Sequence, residues 1–296
     1  MKKILLAPDS FKGTFSSEEI AVLIRDALPA PLGEFCTIQA LADGGEGFAD
    51  VFKRMSGAQV KHAEVHGPLG EPVTAEFVQI QRRAIIAMSA AAGLPLVKGT
   101  LQPERATTFG VGELMLAAVQ SGASELVLGL GGSATCEGGA GALQALGVSL
   151  LDAVGQPIPP GNAGLALLAT IDFSSLALPS SLSLVIAHDV RNPLLGPHGA
   201  VQVFGKQKGV RTEAMPDFEA RLLHFANLAE SHVGVCFRDA PGAGAAGGLG
   251  FGLMLLTPLL QSVKCVSGFA FISQSVQLSE QILNSDLVIT GEGKLD

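Results

Sequence analysis

The stretch ILLAPDSFKGTFSSEEIAVLIRDA, Ile4–Ala27, decides the fold class. Ile4 to Ala7 are apolar without alternation, the mark of a short strand buried on both faces. Pro8 closes that run where no ladder N–H is needed. Ser16 with Glu19 three residues on is a capping box, and Ile20, Leu23, Ile24 and Ala27 follow at helical spacing. A buried strand feeding a capped helix opens a βαβ unit. Asp9, Ser10 and Lys12 then fall at the carboxyl end of the strand, where open α/β sheets bind ligands. Turn-making accounts for Asp9 and Ser10 but gives no reason for Lys12.

The same alternation recurs at both ends of the chain. CTIQAL reads as a second strand and EGFADVFKRM as a second helix. In the middle, VKHAEVHG, VTAEFVQI and AIIAMSA are short strands separated by turns, as in an antiparallel or mixed sheet. Parallel logic resumes with helix GVGELMLAAVQSG, strand ELVLGL, a glycine-rich turn, a helix and strand GVSLL. Strand SLVIA, helix PDFEARLLHFANLAE with Pro216 in its first turn, helix SEQILNS and strand DLVIT complete the pattern. The expected fold is α/β, with two interleaved α/β domains.

Composition narrows the function. A chain of 296 residues, 48% hydrophobic and 16% charged, can bury a sizeable core. A net charge of −8 and the absence of any basic run exclude a nucleic-acid backbone as the main partner. FGLMLLTPLL, the longest apolar stretch, is too short to span a membrane and contains Pro258. Lys2 and Lys3 precede only the short apolar run Ile4 to Ala7, too little for a signal peptide. Cys36, Cys136, Cys236 and Cys265 lie far apart, as reduced thiols in a cytoplasm do.

Loops rich in Gly, Asp, Ser and Lys carry the candidate chemistry. In LGLGGSATCEGGAGALQALG a strand runs into Gly131, Gly132, Ser133 and Thr135, then an Ala-rich helix. Glycines let backbone N–H groups approach an anion, and a helix N-terminus adds positive potential, so these residues suit a phosphate or carboxylate. Gly129, Gly131, Ala134 and Asp152 also match a dinucleotide fingerprint. A second match at Gly242, Gly244 and Gly247 lacks the acid. In ALADGGEGFADVF, Asp43 is either an N-cap or, with Gly44, Gly45 and Glu46, part of a site that holds a metal-nucleotide or accepts a proton. In AHDVRNPLLGPHGA, Asp189 and Asn192 are hard oxygen donors suited to magnesium, and equally ordinary turn formers. DLVITGEGKLD places Thr290, Glu292, Lys294 and Asp296 after a strand. No Walker loop and no protein-kinase signature occurs. The residues by themselves reach a phosphate-handling α/β enzyme.

Taken in order, APDSFKGT, ALADGGEGF, ATTFGVGEL, GLGGSAT with GGAGALQALG, DVRNPLLGPHGA with VFGKQKG, PGAGAAGGLGFG and DLVITGEGKLD resemble the type-1 glycerate kinase family. The resemblance implies transfer of the γ-phosphoryl of ATP to D-glycerate, with Mg²⁺, giving 2-phosphoglycerate or 3-phosphoglycerate. It implies a flavodoxin-like or Rossmann-like domain from residues 1–65 plus 283–296, carrying an inserted mixed α/β domain, 66–282. Lys12 would neutralise the transferring phosphate or the glycerate carboxylate. Asp43 and Asp189 would divide proton acceptance and Mg²⁺ binding between them. Asp9, Ser10, Gly44, Gly45, Glu46, Gly131, Gly132, Ser133, Thr135, Asn192 and Glu292 would contact substrate or phosphate. A homodimer is left open.

The chain departs from the family pattern in places. Cys136-Glu137 stands where Asn-Asp is usual, and His188 where a Cys commonly precedes the Asp; Arg191 also replaces a usual small or acidic residue. The family continues beyond GEGKLD, so the first domain is expected to lack its C-terminal part. The rival readings are an inactive truncated homologue, a small-carboxylate binding protein, and an NAD-dependent oxidoreductase built on the fingerprint and Asp152.

Overall fold

The computed structural model describes residues 3–11, 14–42, 44–45, 47–97 and 99–292. Lys12, Asp43, Glu46, Lys294 and Asp296 lie outside the described residues. The strands are β1 (Ile4–Leu6), β2 (Cys36–Ile38), β3 (Ala58–His66), β4 (Pro72–Ile80), β5 (Arg83–Ala87), β6 (Glu125–Gly129), β7 (Ser149–Leu151), β8 (Thr170–Asp172), β9 (Ser183–Ala187), β10 (Ser262–Val266) and β11 (Leu287–Ile289). The helices are α1 (Ser17–Ala27), α2 (Ser89–Ala92), α3 (Phe109–Gln120), α4 (Ala140–Ala145), α5 (Ala200–Phe204), α6 (Met215–Val233), α7 (Ala245–Met254), α8 (Gly268–Ser275) and α9 (Leu278–Leu283).

Two α/β sheets interleave. The smaller is parallel, in the order β11-β1-β2, with Ile4 in register with Leu287 on one side and Cys36 on the other. The larger runs β10-β9-β6-β5-β4-β3, parallel from β10 to β5 and antiparallel through β4 to β3. All nine residues of β3 pair with β4, so the larger sheet begins at Ala58.

The larger sheet is covered on both faces, and strand alternation sorts its residues. Ala84, Ile86, Leu126, Leu128, Leu184 and Ile186 face a core shared with α3, α4, α6 and α7. Ile85, Val127 and Val185 face a second core with Phe48, Phe52 and Ile272, which also takes in Leu5 of β1. One apolar layer therefore joins the two sheets. The rings of Phe48, Phe52 and Phe271 fill it, with centroids 5.9 to 6.2 Å apart.

Three local expectations are corrected. Where EGFADVFKRM is expected to be a helix, Glu46 lies outside the described residues and GFADVFKRM makes only turns and a short 3₁₀ segment, Asp50–Phe52, because Gly47 sits at φ +81° and Phe48 and Phe52 are both drawn into the layer between the sheets. In α1 the inward residues are Ser17 and Ala21, while Leu23 is exposed. Ser17 fixes that rotation: its hydroxyl donates to Pro8 C=O at 2.6 Å and accepts the Leu41 N–H at 2.9 Å. Finally, β7 pairs with β8 as a separate antiparallel ribbon and does not join the parallel sheet.

Candidate active site

The quoted loops meet at the carboxyl edges of the parallel strands. The loop after β1 is held by the far end of the chain: the Asp9 N–H donates to Gly291 C=O at 2.8 Å, and the Thr290 hydroxyl to Ala7 C=O at 2.8 Å. Ser10 is buried beside it, and Glu292 is exposed. The loop after β2 crosses onto the larger sheet. A Cβ on Gly131 would fall 2.4 Å from Gly45 Cα, and one on Gly44 would fall 3.3 Å from Ala187 C=O. Only bare backbone lets the two loops lie this close.

The glycine-rich turn after β6 is gripped from several sides. Leu94 N–H donates to Gly132 C=O and Ala134 N–H to Ala92 C=O, which ties the turn to the segment after β5. Opposite, Lys208 Nζ donates to Ser133 Oγ at 2.7 Å and to Thr135 C=O at 2.8 Å. The Thr135 side chain is fully buried, its hydroxyl turned to Ala246 C=O. Between these anchors, the N–H groups of Gly131, Gly132 and Ser133 donate to nothing among the described residues. Successive backbone N–H groups left free in a turn are the kind of donor set that anion-binding nests use.

Asp189 and Asn192 follow β9. Asp189 caps α8, accepting the Ser267 hydroxyl on Oδ1 at 2.5 Å and the Phe269 N–H on Oδ2 at 3.0 Å. A carboxylate has about four acceptor positions, so two remain for a cation or a proton. Asn192 Nδ2 donates to His198 C=O, and its side-chain oxygen is a hard donor. His188 is buried at 8% exposure against Gly242, and neither ring nitrogen has a hydrogen-bond partner. Among the described residues no three His, Cys, Asp or Glu side chains cluster as a metal site.

Glu137 has a different place from the turn around it. It is fully buried, and its oxygens accept from Thr107, Thr108 and Gly141, so it staples the starts of α3 and α4. Burial pushes its carboxyl above the usual range, against those donors. Asp152, the acid of the dinucleotide fingerprint, lies after β7, outside the parallel sheet. Its Oδ1 accepts the Val154 and Gln156 N–H groups at 2.9 Å each. That geometry is a turn, and it removes the residue on which the nicotinamide reading rested.

Sequence reasoning missed Lys208. It lies in VFGKQKG, and a lysine two residues from another on a short turn reads as solvent-facing. Only the tertiary fold shows it buried at 2% exposure.

A cavity of about 590 Å³ opens beside this junction, lined by Ser10, Ser17, Leu41, Gly47, Lys53 and Pro95 among others. Its lining includes Gly47 of the loop after β2 and Pro95 of the segment after β5, and none of the described residues Gly131 to Thr135.

The model of the glycerate kinase family matches residues 4–296. The chain belongs to that family. It is 43% identical to the glycerate kinase of Bacillus subtilis (strain 168), over 99% of this chain and 77% of that protein. It is 40% identical to the glycerate 2-kinase of Escherichia coli (strain K12), over 99% and 77%. A crystal structure from Salmonella typhimurium LT2, assigned as glycerate kinase 2, superposes with a TM-score of 0.84 at 38% identity, over 100% of this chain and 79% of that one.

Proposed function

We propose that the chain transfers the γ-phosphoryl group of ATP to the 2- or 3-hydroxyl of D-glycerate, in the cytoplasm. The observation that carries this reading is the family match over residues 4–296. Phosphoryl transfer needs positioning and charge neutralisation more than covalent chemistry. The free N–H groups of Gly131, Gly132 and Ser133 supply such a place for an anionic oxygen, with Gly44 and Gly45 closing one side. Lys12 neutralises the transferring phosphate or the glycerate carboxylate. Asp43 and Asp189 share proton acceptance and cation binding, Asn192 adding an oxygen. Bound Mg²⁺ would supply charge neutralisation between phosphate oxygens, and the open acceptor positions on Asp189 fit it. The adjoining cavity is of the size that takes a nucleotide.

The domain division belongs to the same proposal. Strands from both chain ends share the small parallel sheet, which supports a flavodoxin-like domain from residues 1–65 plus 283–296 with 66–282 inserted.

The test is ATP-dependent phosphorylation of D-glycerate by this 296-residue chain. ADP release is followed by a coupled assay, and the product isomer by phosphorus NMR. Glycerate-dependent ADP release is the expected result. Saturable binding of glycerate with no turnover at high enzyme concentration would instead establish a binding protein.

A further inference from the structure

Among the described residues Lys208 is the only lysine in the interior. Its ammonium draws together three distant segments: the turn that carries it, the turn Gly131–Thr135, and the start of α7. The last of these is shaped around it. Ala246, Gly247 and Gly248 have successive φ values of +52°, +69° and +92°. A Cβ on Gly247 would fall 1.8 Å from Thr135 C=O and 2.9 Å from Lys208 Nζ. A non-glycine residue in the left-handed region is a strained choice.

This arrangement is costly as pure packing. Burying an ammonium carries a large desolvation penalty unless it is paired, and a methionine would fill the space without it. Lys208 makes no ion pair among the described residues; its two bonds go to a hydroxyl and a carbonyl, and burial pushes its pKa down. Beside it, the N–H groups of Gly131, Gly132 and Ser133 are also without acceptors. Positive potential is thus in surplus on both sides of one turn, with Gly132 exposed between them.

We infer that Lys208 is the positioning residue of an oxyanion receptor: it fixes Ser133 and Thr135 from the interior and supplies the charge that answers an anion held by the N–H groups of Gly131–Ser133. The ligand class is a carboxylate or a phosphate. In the phosphotransfer reading, on which this inference rests, it is either the glycerate carboxylate or a phosphate of ATP. Lys208 acts through the turn and is not itself a catalytic residue.

The experiment compares the wild-type chain with Lys208→Met and Lys208→Gln. D-glycerate, a non-hydrolysable ATP analogue with Mg²⁺, and inorganic phosphate are titrated separately by calorimetry, and melting is recorded for each protein. Both variants are expected to weaken the same ligand about 30-fold or more, the range for losing a charge-assisted contact. They are expected to melt within about 4 °C of wild type, since the buried charge has gone. Loss confined to D-glycerate identifies the carboxylate; loss confined to the nucleotide identifies the phosphate. The inference is overturned if both variants bind every ligand within about 3-fold of wild type. It is equally overturned if Lys208→Gln restores both melting and binding, which makes hydrogen bonding the whole role. Wild type that binds phosphate but neither glycerate nor nucleotide sinks the phosphotransfer reading alone. The phosphate titrations of the variants then decide for or against the receptor.

Discussion

Glu137 and Thr108 are joined twice through one oxygen: Glu137 Oε1 accepts both the backbone N–H of Thr108, at 2.9 Å, and its hydroxyl. The same oxygen takes the Gly141 N–H at 3.0 Å, and Oε2 takes the Thr107 hydroxyl. A buried carboxylate therefore sits at two helix N-termini, where negative charge is favoured. Glu137→Ala leaves these donors without an acceptor and is expected to cost about 3 kcal/mol or more, against about 1–2 for Glu137→Gln. Urea denaturation of both variants checks the order; equal stability of Glu137→Ala and wild type would refute the staple.

His188 predicts a pH effect on stability. Burial holds its pKa below the ordinary histidine value, with the Val190 backbone and Asp189 pulling weakly the other way. The unfolded chain then takes up its proton first as pH falls below about 6.5, so stability declines from there down to the folded-state pKa. Melting curves between about pH 5 and 7 should be flatter for His188→Cys than for wild type. Parallel curves would show that another group sets the slope.

Glu230 acts lower on the scale. Burial alone would raise its carboxyl. The Arg238 guanidinium, at 2.6 Å from Nε, and the N–H groups of Phe237 and Arg238, at 2.8 Å each, outweigh burial and hold it below the usual range. The folded state is the weaker proton binder, so the contribution is complete above the unfolded value near pH 4.3 and is lost as pH falls through the folded one. Glu230→Gln is expected to lose about 1 kcal/mol at neutral pH and to show a shallower acid limb. An unchanged acid limb would place the transition elsewhere.

Gly131→Ala tests the close approach of the two loops. The new methyl would meet backbone at 2.4 and 3.1 Å on Gly45, and backbone cannot swing aside as a side chain can. The expected cost is about 1–3 kcal/mol of stability, with a loss of about 100-fold in kcat/KM for glycerate. Activity within a few-fold of wild type would show that the approach of Gly45 is dispensable.

The local code of the fold was legible where one physical rule dominated. The Ser16–Glu19 capping box forms as read, and Pro216 lies in the first turn of α6. The strands β5, β6 and β9 are continuous apolar runs because both sheet faces are covered. Where rules competed, tertiary contacts won. Apolar spacing could not reveal that Ser17 would pin α1 by its hydroxyl, or that Phe48 and Phe52 would leave the helical path for the layer between sheets. At the site, the glycine runs announced close approach but not the partner. That Gly131 meets Gly45, that Glu137 serves two helices, and that Lys208 is buried all depend on residues far apart in sequence.

The pairing of β1 with β11 has a consequence for the order of synthesis. Ala7 leaves the ribosome long before its partner Thr290, made 283 residues later. During that interval one edge of Ile4-Leu5-Leu6 has no neighbour, and an unpaired apolar edge invites association with other nascent chains. A strand translated early is thus completed late, and the yield of folded protein will depend on how long that edge is kept from its own kind.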